Sequence, residues 1–182
     1  MMTSPEPKAK RTVEGDLGLY INAHNLVDRI GRETLNHELG IDTDTVMQSY
    51  LPIPETETQF RLTERLCLEA GLTALDRHAG KLRHLYTPQG RRTIAEGKDL
   101  TAIRWFVGTG GALTRLPHRA SILRTIADCN KNRMQLLPSP GTAKTLFDHD
   151  YIMASAGVLS KEDPESALLL LKESIRWNEI RN

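Results

Sequence analysis

The feature that most constrains this chain is an uninterrupted succession of an apolar run, a glycine-rich turn and an amphipathic helix. Ala102 to Val107 reads as a buried strand, Gly108-Thr109-Gly110-Gly111 follows at once, and Ile122, Leu123, Ile126 and Ala127 line one face of a helix over about His118–Asn130. Glycines straight after a strand let backbone approach a ligand closely, and the following helix offers free N–H groups. The spacing is not that of a dinucleotide-binding turn, since no third glycine follows, and the Lys-Ser/Thr pair of a P-loop is missing. Taken by itself, such a turn is most often only a turn.

The rest of the chain supplies a setting for it. At 182 residues, on a prior of ~150 per domain, one domain or two lobes are expected. Residues 1–11 read as a flexible tail with Pro5 and Pro7 and nothing to bury, and Thr12–Ile21 as a short extended piece with a tight turn. Asn22 is placed to cap a helix reaching Leu39, closed by Gly40, and Asp42 restarts a short helix through Val46 and Met47 that Pro52 and Pro54 end. The longest helix spans about Glu55–Ala79. Its polar positions Arg65, Glu69 and Asp76 fall in a narrow wedge, so it is packed on several sides, and Gly71 marks a close crossing.

After Gly80 the texture changes. Leu82–Thr87 and Arg91–Ala95 read as strands around Pro88-Gln89-Gly90, Gln135–Leu137 as a further short strand, and Thr142–Phe147 as a helical turn. Asp150–Leu159 is a helix rich in small residues, and Asp163-Pro164 starts the last one. The expected organisation is a tail over 1–11, a strand or turn plus helical subdomain over 12–79, and an α/β subdomain over 80–182. The fold class is mixed α/β, α+β overall.

Composition excludes several classes. With 24 Lys and Arg against 23 Asp and Glu the formal charge is +1, which gives no field to draw in nucleic acid or an anionic membrane. No apolar run approaches ~18 residues, so no membrane-spanning helix is expected. The polar start lacks a signal-peptide core, and Cys67 and Cys129 have no ligand-spaced partners; a cytoplasmic protein without a disulfide scaffold is expected. The six histidines show no paired ligand spacing, and Asp148-His149-Asp150 reads as helix capping rather than a metal site. No nucleophile elbow is present, so no catalytic residue and no metal ligand is assigned. Arg91-Arg92 and Lys131-Asn132-Arg133 read as solvated corners.

The longer string Val107-Gly108-Thr109-Gly110-Gly111-Ala112-Leu113-Thr114-Arg115-Leu116-Pro117 resembles the adenosine motif of the actin, sugar-kinase and heat-shock-chaperone ATPase superfamily. Lys10–Gly18, Glu96-Gly97-Lys98-Asp99-Leu100 and Asp150–Ser160 narrow the resemblance to the accessory or reactivation protein (GlmL type) encoded with cobalamin-dependent glutamate mutase. It covers about Pro7 to Ile175.

The resemblance implies the C-terminal part of a longer protein: the back lobe of an actin-like ATPase fold, with a helical subdomain inserted before a small sheet flanked by helices. It implies adenosine-side binding of ATP or ADP by Gly108, Thr109, Gly110, Gly111, Ala112 and Arg115, with Gly157 on a small-residue hinge helix. Arg115 has the flat guanidinium that stacks on a purine, a solvated loop residue being the plain alternative. The phosphate-binding turns belong to the front part that this chain lacks; Asp16-Leu17-Gly18 copies such a turn only superficially. The chain alone is therefore expected to bind nucleotide weakly and not to hydrolyse it. Its implied role is ATP-driven servicing of the mutase, with mutase subunits or a separately encoded front lobe as partners. Self-association is expected through an uncovered sheet and an unpaired edge over Thr12–Ile21, and lysine at Val13 and Leu17 is expected to weaken it. The alternatives are a non-catalytic interaction module that binds no nucleotide, and a degenerate product without independent function.

Overall fold

The computed structural model describes residues 3–4, 13–131 and 133–177. Within them the protein is mixed α/β: helices dominate up to His78, and strands and helices mix after it. A 3₁₀ turn over Gly15–Leu17 leads into α1 (Ala23–Ile30), α2 (Arg32–Leu39), α3 (Thr43–Gln48) and the long α4 (Glu57–His78).

The expected helix from Asn22 to Leu39 is two helices. Gly31 adopts φ +92°, a conformation that costs glycine little, and its N–H closes α1 on the Val27 carbonyl at 2.8 Å. Asn22 does not cap α1 with its side chain: its amide donates to the Gly15 carbonyl at 2.7 Å. Gly40 closes α2 in the left-handed conformation, and the Asp42 carboxylate caps α3 by accepting from the N–H groups of Asp44 and Thr45.

The expected extended piece over Thr12–Ile21 is also corrected. Thr12 lies outside the described residues, and Val13–Ile21 forms no strand. Leu17 is only 9% exposed, packed with Leu26 and Val27, while Arg77 donates to Glu14 at 2.7 Å and to Asp16 at 2.9 Å. Burial of one side chain and clamping of two others bend the segment into a turn. Lysine at Leu17 therefore injures the core and says nothing about a strand edge.

Helix α4 is the spine. Leu62 and Leu66 join Leu26, Val27 and Leu35 in one core, whereas Cys67 packs with Leu116, Ile122 and Ile126 in another. Two cores on its flanks explain a helix apolar on most sides. Gly71 allows the close crossing expected there, since a Cβ at that position would stand 2.3 Å from Ile126 Cδ1.

The strands form two sheets among the described residues. β1 (Thr3–Ser4) runs parallel to β3 (Gly90–Glu96), which pairs antiparallel with β2 (Lys81–Thr87) around Pro88 and Gln89. β4 (Trp105–Gly108) lies parallel to β5 (Lys144–Phe147), with α5 (Gly110–Arg115) and α6 (Arg119–Ala127) between them in sequence. The expected helical turn over Thr142–Phe147 is thus a strand, because Trp105–Gly108 offers a parallel partner in register. The buried strand expected over Ala102–Val107 is shorter and leaves Val107 38% exposed. Gln135–Leu137 forms one bridge, Gln135 to Lys81, rather than a strand; Asn130 holds it by donating to the carbonyls of Gln135 and Leu137. Last come α7 (Met153–Leu159) and α8 (Pro164–Ser174), the latter capped by Asp163, which accepts from the Ser166 N–H.

Candidate functional site

The turn after β4 is tighter than an open loop. Thr109 is the N-cap residue, and α5 begins at Gly110, whose φ of +84° favours glycine. The Thr114 hydroxyl donates back to the Gly110 carbonyl at 2.9 Å and steadies the single short helix.

Against this turn lies a cavity of about 1160 Å³. Its second wall is the Tyr50–Pro54 segment after α3, and its floor is formed by Phe60, Cys67 and Gly71 of α4 with Ile126 of α6. The 3₁₀ turn closes one end through Glu14, Leu17 and Gly18. The lining is mainly apolar. Its few polar groups include Arg115 and the Tyr50 hydroxyl, which lies 2.8 Å from Thr63 Oγ1.

The residues singled out from the sequence divide cleanly. Thr109, Gly110, Gly111, Ala112 and Arg115 line the cavity, and Gly108 and Gly157 do not. Gly108 is needed for packing: a Cβ there would stand 3.0 Å from the Phe147 ring and 3.1 Å from Leu123. Gly157 lies on the exposed face of α7, where only Ala156 of the four small residues is buried. At Gly110 and Gly111 a Cβ would meet nothing within 4 Å, so this backbone faces open space. Arg115 is exposed and makes no ion pair or hydrogen bond among the described residues.

Two titratable groups at the cavity, Cys67 and Glu14, are already committed. Burial, then the Glu64 charge, pushes the Cys67 thiol up to about 11, so it is protonated at neutral pH and a poor nucleophile. Arg77 binds Glu14 and Asp16, and its guanidinium holds the Asp16 carboxyl below the usual carboxylate range. Among the described residues no group of His, Cys, Asp and Glu is gathered to hold a metal. The lining suits a mainly apolar ligand with few polar groups.

One residue behind the turn escaped the sequence reading as part of the site. Asp148 is fully buried at the end of β5, and its backbone N–H donates to the Gly108 carbonyl at 2.9 Å. Its carboxylate accepts from Thr109 Oγ1 at 2.8 Å, Ser174 Oγ at 2.6 Å, and the N–H groups of Ile152 and Met153 at 3.0 and 2.8 Å. One side chain thus joins the glycine turn, the start of α7 and the end of α8. Desolvation acts to raise its pKa, but the four donors outweigh this and hold the carboxyl below its ordinary range. The local signal is the acidic cluster, read as the N-cap of a helix from Asp150. The helix instead starts at Met153, with Ile152 at the N-cap position and no side-chain cap there. Asp148 reaches the Ile152 and Met153 N–H groups from further back in the chain.

The family described as MutL protein matches residues 1–175 of the chain. This chain belongs to the MutL family. That agrees with the resemblance to the glutamate mutase accessory protein drawn from its glycine-turn and flanking strings. Protein MutL of Clostridium tetanomorphum is 31% identical over 175 residues, covering 92% of this chain and 37% of that protein. The chain therefore spans well under half the length of the curated relative it matches. No solved structure matches it. The family match covers both walls of the cavity and the Asp148 junction, and no helix among the described residues is long and apolar enough to cross a membrane.

Proposed function

We propose that this chain supplies the adenosine-side wall of a nucleotide cleft in a MutL-type accessory protein that services a cobalamin-dependent glutamate mutase. The observation that carries the reading is the cavity between the Gly110–Gly111 backbone and α4, with an unengaged Arg115 at its edge. Apolar, aromatic-bearing walls with few polar groups suit a nucleoside, and a guanidinium stacks on a purine face. On this reading the wall belongs to the back lobe of an actin-like ATPase fold, and the phosphate end is held by residues outside this chain. Adenosine, ADP and ATP are then expected to bind alike, with Kd on the order of 0.1–1 mM, and the chain alone turns over no ATP. Isothermal titration with the three ligands tests this. Gly111→Leu, placed where a Cβ has room, is expected to abolish the signal without changing the melting temperature. No heat with any of the three at millimolar concentration overturns the nucleotide reading and leaves a non-catalytic interaction module.

The same reading accounts for an uncovered apolar surface on the last two helices. Val158, Leu168, Leu169 and Leu170 are exposed, Leu169 by 66%. Either the remaining part of the family's chain or a second copy covers such a surface. Sedimentation velocity at ~100 μM, above a weak Kd, is expected to show self-association of the isolated chain. A single monomeric boundary counts against it.

A further inference from the structure

We propose that the β2–β3 hairpin is a docking arm that takes an acidic, extended segment of a partner protein along the free edge of β2. The argument begins with charge. Lys81, Arg83, Arg91 and Arg92 lie between residues 81 and 95 with no Asp or Glu among them, in a chain whose charges otherwise nearly balance. Lys81 is paired with Asp76 and Arg83 with Glu96, at 2.9 and 2.8 Å. Arg91 and Arg92 are exposed and pair with no carboxylate among the described residues.

Arg91 instead donates to His84 Nε2 at 3.2 Å, while His84 Nδ1 lies 2.9 Å from Thr93 Oγ1. A guanidinium only donates, so His84 accepts at Nε2 and carries its proton on Nδ1, which donates to Thr93. This holds the Arg91 guanidinium out beside Tyr86, which is 81% exposed.

The edge itself selects a polypeptide. The sheet order is β1-β3-β2, so β2 is an outer strand. Among the described residues it is covered only at its base, where Lys81 bridges Gln135 and the Leu82 N–H donates to the Met134 carbonyl. In an antiparallel pair the backbone groups alternate between the partner and the outside. Leu82 points outward, so the N–H and C=O of His84 and Tyr86 do too, and they are open to an added strand. A nucleic acid has no use for such an edge, and a net charge of +1 provides no general attraction for one. A second copy paired along this edge brings a β2 strand that carries no Asp or Glu, and leaves Arg91 and Arg92 without a carboxylate. Arg91 and Arg92 are consecutive in β3 and project to opposite faces of the sheet, so an acidic strand with carboxylates on both faces satisfies the edge and the two guanidinium groups. Neighbouring strands are ~4.8 Å apart, so β3 lies ~10 Å from an added strand, and Glu reaches across where Asp falls short.

The test uses the full chain and a short fluorescein-labelled peptide carrying consecutive Glu pairs among Thr and Val, so that carboxylates project to both faces, followed by fluorescence anisotropy at low ionic strength. Saturable binding is expected, with no binding by the same peptide carrying Lys for Glu and weaker binding with Asp for Glu. R91E/R92E is expected to weaken binding about tenfold or more, and R91A/R92A to weaken it less. N-methylating the peptide's alternate amides is expected to remove binding altogether. The proposal is overturned if the double variants bind as the wild type does, if the N-methylated peptide binds equally well, or if single-stranded DNA competes on equal terms.

Discussion

The Asp148→Ala variant is expected to melt about 6–12 °C below the wild type, from a loss of about 3 kcal/mol in a chain of this size. Four donors from three separate elements converge on this carboxylate, and alanine leaves two hydroxyls and two backbone N–H groups without their acceptor in a buried place. Asp148→Asn is expected to lose about half as much, since one amide oxygen still accepts and the hydroxyls of Thr109 and Ser174 can turn to accept from its NH₂. The effect depends on pH with a defined sign. The folded carboxyl titrates below its ordinary range, so its contribution is complete above the unfolded value of ~4 and is lost as pH falls through the folded one. Melting curves by circular dichroism at neutral pH and near pH 3 check both statements. The wild type should approach the alanine variant in acid; a gap that stays constant contradicts an ionised Asp148.

The second large effect is at Gly80. A Cβ there would stand 2.7 Å from the Glu96 carbonyl oxygen, 2.8 Å from the Gly97 carbonyl carbon and 2.8 Å from Leu136 Cδ1. Two of these atoms are backbone and cannot rotate away. Gly80 also donates to Lys98 at 2.8 Å and accepts from Leu136 at 2.7 Å, so the base of the hairpin is tied to it. Gly80→Ala is expected to cost about 2–3 kcal/mol by urea denaturation. Gly71→Ala is the internal comparison. Its Cβ meets the tip of the Ile126 side chain, which can turn aside, and the helix gains ~1 kcal/mol from alanine. Equal costs for the two variants would contradict the difference between a backbone contact and a side-chain contact.

These cases show where sequence reasoning reaches and stops. Long periodic α4, the caps Asp42 and Asp163, and the helix end at Gly40 carry their signals within a few residues, and each was legible. So was the close crossing at Gly71, because a glycine inside a helix needs a reason. The division at Gly31 was not, since the backbone there could continue as helix at modest cost and only its φ distinguishes the two outcomes. The strand at Lys144–Phe147 depends on a partner far earlier in the chain, and four residues carry too little alternation to announce it. In the candidate site, the Thr109–Arg115 wall was legible as a string of residues. The opposing Tyr50–Pro54 wall, the floor from α4, and the bonds from Thr109 and Ser174 to Asp148 exist only after folding.

A helix with a core on either flank has a consequence for how the protein comes apart. Neither the α1–α3 group nor the β4–α6 group can dissolve without stripping one side of α4, so a partly melted state keeps a long apolar stripe in water. The two halves are therefore expected to melt in one transition, seen as coincident far- and near-ultraviolet circular dichroism curves. A ligand held in the cavity, which rests on the same helix, is then expected to raise the melting temperature of both halves together.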